Sequence, residues 1–312
     1  MTQHTRPARP FGAVGTAMVT PLTEDATGID LDAAQRLAAH VVEHGNDMIV
    51  VSGTTGEAPT LSDTEKVELA GAVREAVGPE VTILAGVGTY DTAHSIHLAR
   101  AHAELEPDGL LVVTPYYSKP SQAGIIQHTL AVADATDLPV MLYDIPGRAG
   151  VPLALDTLLR LGEHPRILAV KDAKGDLHQA TEVMQRTDLA YYSGEDALNL
   201  PWLSIGASGI VSVVSQVAGD IDKRMIDAVD RSDLTAAREA HQQRTPLVTA
   251  IMNRMPGAVS AKTALALQGV LPHATMRSPL LAADAEQTRA LAEALDAAAG
   301  IPPLDPARRP SA

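Results

Sequence analysis

The chain has 312 residues, of which 46% are hydrophobic and 20% charged, and it carries a formal net charge of −14. This length suits two ordinary domains or one large α/β barrel. The acidic charge argues against nucleic-acid binding, which depends on Lys and Arg neutralising phosphates. The lack of cysteine excludes disulfides, thiolate catalysis and cysteine-ligated metals.

Eight short apolar runs, each the length of a buried strand, recur along the chain. They span residues 13–20, 47–53, 81–88, 109–115, 139–146, 167–173, 189–195 and 209–215. Helix-period segments lie between them; one opens with a capping box of Ser62 and Glu65, and others follow Asp91 and Asp156. The alternation favours an α/β fold of the (β/α)8 TIM-barrel type, with a doubly wound open sheet as the alternative.

Strand patterns stop near residue 232, and three helix-like stretches follow. We therefore predict a catalytic barrel over residues 11–232 and a helical C-terminal domain over 233–300. The Pro- and Arg-rich ends, 1–10 and 301–312, are expected to be disordered tails. The start lacks the apolar core of a signal peptide, and no run reaches the ~20 apolar residues of a membrane helix, which predicts a soluble, cytoplasmic protein.

The sixth apolar run, ILAVK, ends on Lys171. Burying an unpaired ammonium group is costly, and the usual result is a lowered pKa. One interpretation is a lysine that reaches from the barrel rim to water. The other is a neutral, nucleophilic amine that forms a Schiff base with a ketone. The strand position alone does not decide between them.

Active sites of TIM barrels lie at the carboxyl ends of the strands, where this sequence gathers polar groups. In SGTTGE, Thr54 and Thr55 could bind a small anion, although an ordinary turn is the more frequent explanation. In YDIPGRAG, Arg148 could hold a carboxylate through two hydrogen bonds or form a surface ion pair. The tyrosines Tyr116 and Tyr117 could pack or relay protons. No motif for a metal site or a P-loop is present.

The segments SGTTGE, TPYY, YDIPGRAG and VKDAKGD, in this order and at these spacings, resemble the dihydrodipicolinate synthase (4-hydroxy-tetrahydrodipicolinate synthase) family of pyruvate-dependent class I aldolases. The resemblance extends from about residue 11 to 300. It implies a TIM barrel with a C-terminal helical domain, usually a homotetramer, and no cofactor or metal. It also implies condensation of pyruvate with L-aspartate-4-semialdehyde in lysine and diaminopimelate biosynthesis.

The resemblance also implies catalytic roles for four residues. Lys171 is expected to form the Schiff base, and Tyr143 to shuttle protons at the same carbon. Thr54 is expected to link Tyr143 to Tyr117, which in this family crosses from the neighbouring subunit.

Four further residues resemble the substrate-binding positions of the family. Thr55 is expected to hold the pyruvate carboxylate, and Arg148 the carboxylate of the semialdehyde. The backbone near Val211 is expected to line the pyruvate pocket, and Gly194 to contribute to it.

Two other functions compete with this interpretation. The first is another Schiff-base aldolase, such as N-acetylneuraminate lyase or a keto-deoxy-sugar aldolase; sialic-acid lyases generally lack an arginine at the place of Arg148. The second is a catalytically silent barrel that binds a small molecule. A strand-end lysine together with a complete proton relay argues against the silent barrel.

The sequence departs from lysine-inhibited relatives at four positions. Where those relatives carry two histidines, an asparagine and a glutamate, this chain has Asp63, Lys66, Tyr90 and His94. A cation at Lys66 and no carboxylate at His94 should disfavour the ammonium group of a lysine ligand. We therefore predict weak or absent feedback inhibition by lysine.

Overall fold

The computed structural model describes residues 8–309. Within them, eight parallel strands pair in chain order and close into a barrel, since β8 also pairs with β1. The strands are β1 (Val14–Ala17), β2 (Met48–Val51), β3 (Thr82–Gly86), β4 (Gly109–Val113), β5 (Val140–Asp144), β6 (Ile167–Asp172), β7 (Ala190–Ser193) and β8 (Gly209–Ser212). The predicted TIM barrel is confirmed, and the open sheet is excluded.

Helices follow the strands and form the outer layer of the barrel. They are α1 (Leu31–Glu43), α2 (Asp63–Val77), α3 (Thr92–Ala103), α4 (Gln122–Ala133), α5 (Pro146–Ala149), α6 (Leu155–Gly162), α7 (Leu177–Arg186), α8 (Asn199–Ser204) and α9 (Ser215–Asp230). The capping box of Ser62 and Glu65 opens α2, and Asp91 caps α3, as predicted. The sequence predicts Asp156 just before a helix, but Asp156 lies inside the first turn of α6, where a carboxylate interacts favourably with the helix dipole.

The interior of the barrel is filled by side chains from alternate strand positions. Phe11 and Tyr192 close its N-terminal end: the Tyr192 hydroxyl donates to the Gly12 carbonyl at 3.1 Å and accepts from the Phe11 N–H at 3.3 Å. Both side chains are almost fully buried. The barrel is therefore a packed core at this end, and open space is left at the carboxyl end of the strands.

Three helices follow the barrel, as the sequence predicted: α10 (Leu234–Met252), α11 (Gly257–Leu267) and α12 (Ala285–Asp296). Parts of the tails that we expected to be disordered make defined contacts. Arg9 pairs with Asp230 at 2.8 and 2.9 Å, and Arg308 donates to the Leu271 carbonyl at 2.7 Å. The rest of both tails, residues 1–7 and 310–312, lies outside the described residues. No helix in the described part of the chain is long and apolar enough to cross a membrane.

Candidate active site

Lys171 and Tyr143 are direct neighbours on adjacent strands, because the β5–β6 register pairs them. The Lys171 Nζ lies 4.2 Å from the centroid of the Tyr143 ring. Both side chains are buried, with exposed fractions of 5% each. The Lys171 amine, one residue before the end of β6, therefore lies inside the barrel against an aromatic ring and does not extend to solvent.

Burial changes the ionisation of both groups. The pKa of Lys171 falls from 10.5 to about 8, chiefly because of burial; the charge of Asp196 opposes this change, and that of Arg148 adds to it. Burial likewise raises the pKa of Tyr143 to about 12, against the effects of Arg148 and a hydrogen bond with Thr54. A substantial fraction of Lys171 is thus neutral near physiological pH, whereas the neighbouring phenol keeps its proton.

Thr54 lies in the loop after β2, and its hydrogen bond with Tyr143 joins that loop to β5. The left-handed backbone positions of the loop are Ser52 and Glu57, with φ of 53° and 57°, and not the glycines that flank the threonines. Gly56 is needed for space, because a Cβ there would lie 3.1 Å from the Met18 carbonyl oxygen.

Arg148 belongs to α5, a single helical turn that Pro146 begins and Gly150 ends at φ 79°. The side chain is exposed and lines the same cavity as Thr54 and Tyr143. The cavity has a volume of about 230 Å³ and opens at the carboxyl ends of β2 to β5. A guanidinium at this mouth is placed to bind an anionic group that enters from solvent.

The remaining predicted binding residues lie at different places in the barrel. Thr55 is buried in the loop beside Thr54, and Val211 is buried in the barrel interior on β8. Gly194 follows β7 and packs directly on Lys171: a Cβ there would lie 2.9 Å from the Lys171 Cγ and 3.1 Å from its Cε. The absence of a side chain at Gly194 therefore leaves room for the lysine stem.

Tyr117 does not line the cavity of its own chain. It lies in the loop after β4 with φ of 70°, and 90% of its side chain is exposed. Tyr116, which the sequence could not assign, lines the cavity instead and packs edge-on against Tyr90, with ring centroids 5.4 Å apart. Within its own chain, Tyr117 therefore takes no part in the cavity that Thr54 and Tyr143 line.

Sequence reasoning missed a buried ion pair that supports the threonine loop. Lys262 of α11 contacts the Glu57 carboxylate and donates to the Thr275 carbonyl at 2.8 Å. The Arg277 N–H donates to the same carboxylate at 3.1 Å. The single lysine within the apolar stretch GAVSAKTALAL could have indicated a buried, paired amine, but nothing local indicated its partner.

A second buried cluster lies behind β7 and was also missed. Arg244 of α10 is fully buried and contacts two buried carboxylates, Asp196 after β7 and Asp222 on α9. Arg244 lies in the polar stretch HQQRTP, which looks like a solvated helix face.

The residues expected to disfavour a lysine ligand form a group of their own between α2 and α3. The Lys66 Nζ lies 3.5 Å from Asp63, and the His94 Nε2 lies 2.9 Å from the same carboxylate. Lys66 is buried, whereas 63% of Tyr90 is exposed. The His97 Nε2 lies 3.9 Å from the Asp63 carboxylate as well, so Asp63 already pairs with three groups of its own chain. In the described residues, no cluster of three His, Asp or Glu side chains is arranged to hold a metal ion.

Comparisons with known proteins identify the family of this chain. Residues 10–298 match the dihydrodipicolinate synthetase family. The chain is 57% identical over 298 residues to the 4-hydroxy-tetrahydrodipicolinate synthase of Kineococcus radiotolerans, covering 96% of each protein. It is 53% identical to 4-hydroxy-tetrahydrodipicolinate synthase 2 of Streptomyces coelicolor, covering 96% of this chain and 99% of that protein.

The fold matches solved structures equally well. A crystal structure of DHDPS from Cyanidioschyzon merolae with lysine bound superposes with a TM-score of 0.89 at 40% identity, covering 93% of this chain and 98% of that one. Both the sequence match and the structural match extend over nearly the whole chain. The barrel, the buried strand-end lysine and these similarities together place the chain in the dihydrodipicolinate synthetase family.

Proposed function

We propose that this chain is a 4-hydroxy-tetrahydrodipicolinate synthase, a carbon–oxygen lyase that condenses pyruvate with L-aspartate-4-semialdehyde in lysine and diaminopimelate biosynthesis. One observation carries the proposal: a buried, partly neutral Lys171 lies against the Tyr143 ring, and Tyr143 is hydrogen-bonded to Thr54. Relatives at 57% and 53% identity bear this enzyme's name.

Lys171 begins the proposed reaction. Its neutral amine attacks the ketone carbon of pyruvate, and loss of water leaves an iminium that withdraws electrons. Loss of a methyl proton then gives an enamine, whose carbon adds to the aldehyde of the semialdehyde. The amino group of the second substrate attacks the former ketone carbon, the ring closes, and Lys171 is released as a free amine.

The proton transfers are assigned to the hydroxyl relay. Tyr143 adds and removes protons at the carbon bound to Lys171, and Thr54 connects it towards solvent. Tyr117 of a neighbouring subunit completes the relay, a role supported by its 90% exposure on this chain. The assembly we propose is a homotetramer made of two such dimers.

The binding groups divide between the two substrates. Thr55 holds the pyruvate carboxylate, while Val211 and Gly194 shape the pocket around the Schiff base. Arg148, at the mouth of the cavity, binds the carboxylate of the semialdehyde through paired hydrogen bonds. The proposal also keeps a barrel over residues 11–232, a helical domain over 233–300, and the cytoplasmic location that the sequence predicts.

The test is to trap the Schiff base. The protein is incubated with pyruvate and borohydride, with and without L-aspartate-4-semialdehyde, and the adduct is located by peptide mass spectrometry. A pyruvyl group on Lys171, with less adduct when turnover is allowed, is the expected result. An adduct on another lysine, or none, would contradict the assignment. Consumption of the semialdehyde with pyruvate distinguishes the synthase from other aldolases.

A further inference from the structure

The carboxylate of Asp196 is held inside the protein at the carboxyl ends of β7 and β8. It is 2% exposed and accepts a hydrogen bond from the Val213 N–H at 3.0 Å and another from the Ser212 hydroxyl. Arg244 adds a charge-assisted hydrogen bond at 2.7 Å and donates to the Asp196 carbonyl. Four donors therefore fix this residue in one place.

Arg244 reaches Asp196 from the C-terminal helices. It lies on α10, is fully buried, and its Nε is 2.8 Å from the Asp222 Oδ1, an ion pair whose geometry is too bent for a good hydrogen bond. Burial raises the pKa of Asp222 to about 6, against the charge of Arg244. Replacing such buried triads by apolar side chains is often neutral or stabilising, so global stability is a poor explanation for this one.

The segment that carries Asp196 lies on the amine of the Schiff-base site. Gly194 packs on the Lys171 stem, and its N–H donates to the Asp172 carbonyl at 2.7 Å. Asp196 follows two residues later, and its charge acts on Lys171 by favouring the protonated amine. A fixed negative charge favours any cation at the same nitrogen, including an iminium.

We propose that Asp196 and Arg244 are positioning residues of the Schiff-base site: Arg244 fixes the Asp196 carboxylate from the C-terminal helices, and this carboxylate stabilises the cation that forms on Lys171 Nζ. The inference rests on the proposed role of Lys171. It gives the helices after the barrel a direct part in the chemistry of the amine.

The other charged and titratable groups around this nitrogen act differently. Arg148 opposes a cation at Lys171, and the Tyr143 phenol is neutral because burial raises its pKa to about 12. Asp196 is thus the group that favours the cation. An Asp196→Asn variant removes the charge and keeps the acceptor of one carboxylate oxygen, whereas its NH2 group cannot accept the bonds that the other oxygen receives.

Removal of the Asp196 charge has two consequences, one that favours Schiff-base formation and one that disfavours it. The neutral amine becomes easier to form, so the pH at half-maximal Schiff-base formation should fall. The iminium becomes less stable, so the pyruvate concentration for half-maximal trapping should rise, by about tenfold for one unit of pKa. A general loosening of the fold would not produce a lower pH midpoint together with weaker trapping.

The experiment measures cyanoborohydride trapping of pyruvate on Lys171 as a function of pH and pyruvate concentration. The proteins are the wild type, Asp196→Asn, Arg244→Gln and Arg244→Lys. Arg9→Gln is the matched control, since it breaks another ion pair, with Asp230, at the opposite end of the barrel. Thermal unfolding is recorded for each protein.

We expect Asp196→Asn to show both shifts, Arg244→Gln to trap weakly, Arg244→Lys to recover part of the loss, and Arg9→Gln to match the wild type. Wild-type trapping and pH dependence in folded Asp196→Asn and Arg244→Gln would overturn the inference. So would equal losses in Arg9→Gln, or failure of both Asp196→Asn and Arg244→Lys to fold, which would make the cluster purely structural. If wild-type Lys171 itself is not trapped, the proposed function fails instead.

Discussion

Two buried lysines of this protein, Lys171 and Lys262, have opposite surroundings. Lys262 contacts the Glu57 carboxylate and a backbone carbonyl, so its charge is compensated inside the protein. Lys171 lies over the aromatic ring of Tyr143, and Asp196 acts on it through its charge, without a hydrogen bond. Burial lowers the pKa of both amines, and at Lys262 the contact with Glu57 opposes that effect. The comparison teaches that the missing partner, more than burial itself, distinguishes a reactive amine from a structural one.

Exchange of each lysine for methionine tests this contrast most strongly. Lys171→Met should lose activity by roughly 10³-fold or more, because the covalent intermediate cannot form. It should also raise the free energy of unfolding at pH 7 by up to about 3 kcal/mol, since it removes a buried amine whose pKa is lowered from 10.5 to about 8. Product formation and urea unfolding measure the two effects.

The pH dependence of stability checks the same pair. Between pH 8 and 10.5 the unfolded chain binds more protons at Lys171 than the folded one, so this residue makes stability rise with pH through that window. The rise should be smaller in Lys171→Met than in the wild type. Equal slopes in the two proteins would mean that folding does not lower the pKa of Lys171.

The Tyr143→Phe variant tests the proton relay independently of the Lys171 amine. The ring remains against Lys171, but the hydroxyl bonded to Thr54 is lost. We expect kcat to fall by about 10²- to 10⁴-fold, the range of a positioned acid–base group, while borohydride still traps pyruvate on Lys171. Full activity in this variant would remove Tyr143 from the relay.

Lys262→Met should behave in the opposite way to Lys171→Met. It leaves the Glu57 carboxylate buried without its cation, which costs about 3 to 5 kcal/mol of stability. Pairing it with Glu57→Gln removes the lone charge and should recover much of this loss. Double-mutant analysis of urea unfolding gives the coupling, and additive losses would mean that the pair does not interact.

Gly194→Ala gives a smaller change at the same amine. The added Cβ would lie 2.9 Å from the Lys171 Cγ, so the lysine must shift. We expect kcat/KM to fall about tenfold, within the 1 to 3 kcal/mol typical of overpacking. Gly147→Ala is a matched control, because nothing lies within 4 Å of a Cβ there.

The smallest effect is expected from added lysine. Lys66 is a third buried lysine, paired with Asp63 at 3.5 Å, and together with His94 it keeps the Asp63 carboxylate from binding an incoming ammonium group. Millimolar lysine should therefore change the initial rate by less than about twofold. Half-inhibition at such concentrations would show that the group between α2 and α3 opens to admit the ligand.

The barrel could be predicted because the sequence patterns that mark its strands and helices are local. Each strand is a short apolar run, and capping residues such as Ser62 and Asp91 mark where helices begin. The place of Lys171, Tyr143 and Thr54 followed once the fold was known, since the ends of neighbouring strands meet at one face of the barrel.

The supporting ion pairs could not be predicted, because their partners are far apart in the chain. Arg244 lies 48 residues from Asp196, and Lys262 lies 205 residues from Glu57. Nothing near either residue indicates which buried charge it meets. The left-handed backbone at Ser52 and Glu57 was equally hidden, since non-glycine residues seldom adopt it.

Phe11 and Tyr192 fill one end of the barrel, and the cavity beside Tyr143, the neighbour of Lys171, opens at the other end. In the proposed reaction, pyruvate must therefore pass the place that the aldehyde later occupies. The two substrates must therefore bind in order, because an aldehyde that binds before pyruvate blocks the access of pyruvate to the amine. High concentrations of the second substrate should therefore inhibit the enzyme, and more pyruvate should relieve this inhibition.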